Sequence, residues 1–332
     1  MMKAKSRELH LDGIKVFALL LVFALHTQRA GEVTAPCHNA ALFYAARCSM
    51  PLFFMVNGAL ILRKESFSFA YYRKKLLGIF RILAIWSVIT GLYYLLFYQA
   101  GLVQSIKEGL KSMLAYHHII NLWFFITFAL IYTLLLWGLP LIKKHLKPLL
   151  LALGAICVLI DLGSLISIAN GGFFLQEAVT QRLRLWTWLF YFCLGYYLNT
   201  LDLSRFKPAF IHIAAVLLTI LCTIYQYVLC FLITGQIESN YVYDSPLVIL
   251  WSAALFLSFR CAPRLSSLFA RFVGPSFGAF LMHSYIVDAL QMRQLVSGPV
   301  QSTLGWILLI ITTWSISWLF GKIPVVKEAF RY

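Results

Sequence analysis

Charge is scarce in this sequence, and acid is scarcest of all. Only 12% of the 332 residues are Asp, Glu, Lys or Arg, and just twelve are acidic, whereas soluble domains carry about 25% charge. With 61% hydrophobic residues, that balance excludes a water-soluble fold. Polar stretches long enough to build a soluble domain are also missing. Apolar runs of about 20 residues, enough to cross a hydrocarbon core of about 30 Å, recur from one end to the other. No small-residue cleavage site follows the first run, which is long and contains His26, so it reads as a retained span and not a signal peptide. The seven cysteines show neither metal-ligand spacing nor a disulfide framework. They read as small packing residues, and no metal site is expected. No internal repeat is visible, which removes one pointer to a secondary transporter.

What is present predicts an all-α polytopic membrane protein with about ten transmembrane helices and a single domain over 1–332. The expected spans are 11–29, 41–62, 76–98, 120–142, 149–168, 184–199, 209–233, 243–260, 275–292 and 302–321. With the N-terminus in the cytoplasm, nineteen of the 28 Lys and Arg residues fall on that side and six on the other, leaving Lys15, Arg47 and Arg81 inside spans. The positive-inside rule therefore places both termini in the cytoplasm. This also accounts for the net charge of +16 without nucleic acid, and makes anionic lipid headgroups neighbours of the basic loops. Segment 100–118 reads as an amphipathic piece lying on the outer surface, and 261–274 as a similar one on the inner surface.

Ionisable side chains inside spans are costly and mark function. Lys15 and His26 lie in the first span, about 16 Å apart along a helix at 1.5 Å per residue. Eleven residues is close to three turns, so both project from nearly the same face. Lys15 either snorkels to the inner interface or lines a channel with His26. His26 is either a hydrogen-bonded packing residue or, titrating near neutral pH, a group that takes a proton from a hydroxyl. Arg47 should lie at the depth of His26, where it fits a headgroup, a substrate anion or a developing oxyanion. Pro51 and Gly58 in the same span allow a kink or a close helix approach. Arg73, Lys74, Lys75 and the deeper Arg81 form a basic inner mouth suited to a donor's phosphates. Trp123 alone reads as an interfacial belt residue. Asn121 and Asp161 are candidates for an interior polar cluster. His283 lies at mid-depth of the ninth span with Asp288 five residues on, about 140° around the helix.

Four stretches carry a resemblance. Leu11 to Val16 reads Leu-Asp-Gly-Ile-Lys-Val, with ten residues between Lys15 and His26; Arg47 to Gly58 reads Arg-Cys-Ser-Met-Pro-Leu-Phe-Phe-Met-Val-Asn-Gly. Leu122 to Phe125 with Tyr132, and Ser276 to Gly278 leading to His283, follow in order. Together they resemble acyltransferase family 3, integral-membrane O-acyltransferases, especially short members of the enterobacterial common antigen O-acetyltransferase type. Lys15 stands where arginine is commoner, Asn121 where histidine is, and Asn57 where serine is. The Arg-Ile pair of the third span is poorly met, with Gly78 near that position.

The resemblance implies transfer of an acetyl group from cytoplasmic acetyl-CoA, with no bound cofactor, to a hydroxyl of a glycan or lipid-linked sugar at the outer face of a bacterial inner membrane. It makes His26 the leading catalytic residue, with Lys15 and Arg47 as basic partners. Arg73, Lys74, Lys75, Arg81, Asn121, Trp123, Asp161 and His283 are the expected substrate-binding residues. The competing reading is a transporter or flippase for an acylated glycan or small anion that uses the same buried charges as a permeation path. Oligomeric state is left open.

Overall fold

The computed structural model describes residues 7–28, 39–113, 122–235, 242–293, 295–296 and 298–323. Among them every regular element is helical. The helices are α1 (Leu9–Gln28), α2 (Ala40–Ala45), α3 (Ser49–Ile61), α4 (Phe69–Phe97), α5 (Leu102–Met113), α6 (Trp123–Lys144), α7 (Leu146–Ala169), α8 (Leu185–Thr200), α9 (Pro208–Gln226), α10 (Pro246–Cys261), α11 (Pro263–Ala270), α12 (Val273–Met292) and α13 (Pro299–Phe320). A 3₁₀ turn, Ala46–Cys48, joins α2 to α3, and a π-helical stretch continues α9 through Ile233.

Local chemistry sets several boundaries. Proline opens α9, α10, α11 and α13, where its missing N–H has no helical partner to lose. The Asn39 side chain accepts from Leu42 N and the Ser68 hydroxyl from Tyr71 N, capping α2 and α4. The Ser68 cap starts α4 seven residues before the expected span, so Arg73, Lys74 and Lys75 stand on its first turns and not in a loop.

Among the described residues seven helical stretches are long and apolar enough to cross a membrane, or eight if α10 and α11, bent by 92°, count as one broken span. By that measure the candidate spans number seven or eight, not ten. The expected spans 184–199 and 275–292 do appear as helices, α8 and α12. α8 has only 16 residues, and α12 carries Ser276, His283, Ser284 and Asp288. Half of each is buried against other helices, so their polar positions face protein.

The helices sort by depth in the bundle. The most apolar window of α1 is 56% buried and that of the α2–α3 stretch 61%, whereas α7, α9 and α13 are each 22% buried. The first pair forms the centre, and the rest present apolar faces outward. Gly58 makes the central contact between α3 and α8. A Cβ there would lie 1.7 Å from the Phe192 carbonyl oxygen, and one at Gly195 would lie 2.0 Å from that of Met55. Only paired glycines allow this backbone approach.

α5 differs from its expected place on the outer surface. It folds back antiparallel along α4, with the Ser87 hydroxyl donating to the Gly109 carbonyl at 2.6 Å. Ser105, Glu108, Gly109 and Ser112 face inward, while Leu102, Val103, Ile106 and Leu110 are exposed. Small residues here permit close packing and leave the apolar side to the surroundings. α11 packs against α1, where Gly13 meets the Ser266 backbone.

Candidate active site: a basic cavity leading to a histidine pair

α1 carries two chemically different ends. Near its start, Lys15 lines a cavity of about 510 Å³ enclosed by α1, α3, α4, α6 and α12. Its ammonium donates to Asp12 at 3.2 Å, and Asp12 also pairs with Arg7. Arg63, Lys64 and Lys75 join Lys15 at the lining. The Lys64 ammonium sits 4.4 Å over the Tyr71 ring, and that of Lys75 lies 5.9 Å from the same ring. Arg63 pairs with Glu8, and Lys143 donates to the Lys64 carbonyl, holding the loop after α3 against the ends of α1 and α6.

Beyond this cationic rim the cavity wall is aromatic. Phe53, Phe124, Phe125, Phe128, Phe277 and Phe280 contribute ring surface. Phe280 packs edge-on against both Phe53 and Phe124, with ring centroids 6.4 and 5.1 Å away. Asn57 and Ser276 supply the polar spots on this wall. Asn57 is tied back to the Phe53 carbonyl at 2.8 Å and Ser276 to that of Val273 at 2.7 Å.

Phe280 has a second face. Its ring centroid is 5.3 Å from that of His283, and the His283 ring is in turn 5.0 Å from His26, at a 60° interplanar angle. Phe23 stacks on His283 at 5.1 Å, and His283 is 3% exposed. The His283 Nδ1–H donates to the Phe280 carbonyl, which can only accept. Nε2 therefore carries the lone pair and accepts from the Ser284 hydroxyl at 3.3 Å. Such an imidazole is fixed in tautomer and ring plane and presses edge-on against His26. Two residues beyond His26, the buried Gln28 accepts from Ser302 of α13 at 2.9 Å, and its Nε2 has no acceptor among the described residues.

The structure places the other expected residues unequally. Arg47 is buried in the 3₁₀ turn, its guanidinium 4.5 Å over the Phe43 ring, and this turn packs on α1. Arg73, Lys74 and Arg81 are exposed on α4 and do not line the cavity. Trp123 packs behind the wall, stacked on Phe54 and tilted against Trp188. Asn121 lies outside the described residues. Asp288 faces away from His283, since its carboxylate accepts from Tyr93 at 2.9 Å and Tyr98 at 3.0 Å on the α4 side.

Asp161 belongs to a separate buried network. It lies within electrostatic range of Asp244, whose carboxylate accepts from Thr187 at 2.6 Å and from Gln176 and Trp186 at 3.3 Å. This network ties the segment before α8 to the turn before α10.

Arg63 and Lys64, which the sequence puts in the basic inner mouth but not among the expected substrate-binding residues, line the cavity. Phe280 and Phe277 had no signal beyond apolarity. The spacing Phe124, Phe125, Phe128, Tyr132 is a helical stripe, and that stripe does face the cavity.

A family model described as an acyltransferase domain matches residues 8–322, nearly the whole chain and every element named above. No curated protein and no solved structure matches the chain.

Proposed function

The chain belongs to acyltransferase family 3, a multi-pass membrane acyltransferase, and from that premise we propose that it moves an acetyl group from acetyl-CoA to a hydroxyl of a cell-surface glycan or lipid-linked sugar. One observation carries this reading. A cationic cavity rim, an aromatic wall, Phe280, His283 and His26 form one unbroken series of contacts along α1 and α12.

Each part of that series has a chemical role. Lys15, Arg63, Lys64 and Lys75 hold the donor's phosphates, where charge-assisted hydrogen bonds in a partly desolvated rim are strongest. The aromatic wall takes the apolar part of the donor's arm and directs its thioester toward Phe280. His26 removes the proton from the acceptor hydroxyl as its oxygen attacks the thioester carbonyl carbon. The C–S bond then breaks, and the thiolate leaves with the proton returned by His26. Arg47 stabilises the acyl oxyanion or orients the acceptor. His283, with its own ring fixed by Phe280 and Phe23, is a positioning residue that sets the plane of His26.

Orientation follows charge. The basic rim faces the cytoplasm, both termini lie there, and His26 lies toward the outer side of a bacterial inner membrane. On this reading the enzyme is of the enterobacterial common antigen O-acetyltransferase type. The test uses membranes holding the full-length protein and acetyl-labelled acetyl-CoA. Label should appear in the surface-glycan or lipid-linked fraction, and His26→Ala should lower it by at least about a hundredfold while folded protein stays in the membrane. Transfer by that variant near the unchanged protein's rate overturns the reading.

A further inference from the structure

A second cavity, of about 830 Å³, lies on the opposite side of α12, in the cleft between α4, α12 and α13. Its walls are almost wholly carbon, with Trp86 and Phe97 from α4, Ile286 and Leu290 from α12, and Ile316 and Phe320 from α13. The cleft is long in one direction. Trp86 and Phe97 are eleven residues apart on α4, as are Met282 and Arg293 on α12, about 16 Å at 1.5 Å per residue. Arg293, at the C-terminal end of α12, is the one charged residue at the lining among the described residues. The nearest acid in sequence, Asp288, is held by the hydroxyls of Tyr93 and Tyr98. Those bonds also pin α4 to α12.

A cleft about 16 Å long, walled by rings and aliphatic side chains and ended by one cation among the described residues, is complementary to a lipid with one extended chain and one phosphate. The chain lies along the cleft, and the phosphate meets the guanidinium in its bidentate geometry. Its Arg293 end is also close to the reactive end of α1. Val296, three residues on, packs against Gly305 of α13, and one turn before Gly305 the Ser302 hydroxyl bonds Gln28, two residues beyond His26. A headgroup at Arg293 is thus held beside the His26 end of the bundle, on the far side of α12 from the donor cavity.

We propose that this cleft binds the hydrocarbon chain of a single-chain lipid phosphate that carries the acceptor, with the phosphate at Arg293 and the glycan presented to His26. The identity of the cargo rests on the acyltransferase reading; the lipid site does not. The test is photolabelling of the full-length protein in nanodiscs with a diazirine-bearing hexadecyl phosphate, mapped by peptide mass spectrometry. Matching hexadecanol and diacyl phosphatidylglycerol probes serve as controls. Labelling by the phosphate probe should saturate and concentrate on residues 86–97 and 282–293. Arg293→Gln, an exposed substitution, should lower it about tenfold, the scale of one charge-assisted hydrogen bond. Arg293→Lys should restore part of it, and Ile286→Trp should remove most of it. His26→Ala should label as the unchanged protein does, so failed acyl transfer and a failed lipid site give separate results. Equal labelling by hexadecanol, preferred labelling by phosphatidylglycerol, or indifference to Arg293→Gln overturns the proposal.

Discussion

The two ends of α1 lie in opposite surroundings. At Lys15 the helix borders an open cavity where four basic side chains share a rim; at His26 it meets a closed stack of His283, Phe23 and Phe280. On the proposed mechanism the first end binds the donor, its cations braced by Asp12, Glu8 and Tyr71. The second carries the chemistry, beside a His283 ring whose neighbours leave it little freedom. Phe280 stands between them, lining the cavity with one face and touching His283 with the other.

This contrast predicts that substitutions at the two ends fail in different ways. The largest effect should come from His26→Ala, which removes the base and lowers kcat by roughly 10²- to 10⁴-fold, with donor KM nearly unchanged; steady-state kinetics in detergent or nanodiscs separates the two. His283→Ala should come next, costing up to about a hundredfold in kcat through a misplaced His26. His283→Gln should recover part of it by keeping a donor toward the Phe280 carbonyl, a rescue that simple loss of packing would not give. At the other end, Lys64→Ala and Lys75→Ala should each raise the acetyl-CoA KM about tenfold with kcat little changed, and added salt should shrink that difference. The smallest effects belong to Arg73→Ala, Lys74→Ala and Arg81→Ala, each within about twofold, as expected for exposed charges. A kcat defect at Lys64 or a donor-KM defect at His26 would break the division between the two ends.

Much of this was legible before any coordinates. The spacing of Lys15 and His26 places both on one face, and that face looks onto α12 at both ends. Gly58 was readable as a close approach, and it meets the Phe192 backbone. Other features turn on packing that periodicity does not encode. The cap at Ser68 lengthens α4 and puts Lys75 on the same face as Tyr71, four residues earlier, while Arg73 and Lys74 turn outward. Arg63 and Lys64 enter the cavity because Glu8 and the helix ends fold the loop inward. α5 misleads because its apolar side suggests a surface helix, whereas Gly109 and its serines make the tighter contact with α4. His283 and Asp288 lie in one helix yet serve different neighbours, α1 and α4, which a five-residue spacing allows but does not choose.

The account's central claim is that one buried path joins a donor on the basic side to an acceptor on the other. Sealed proteoliposomes containing protein of uniform orientation test it most directly, with the glycan acceptor confined to the side of the His26 end and labelled acetyl-CoA supplied to one side at a time. Donor offered at the Lys15 side should acetylate the acceptor across the intact bilayer, and donor offered at the His26 side should not. Transfer that requires both substrates on the same side would contradict it.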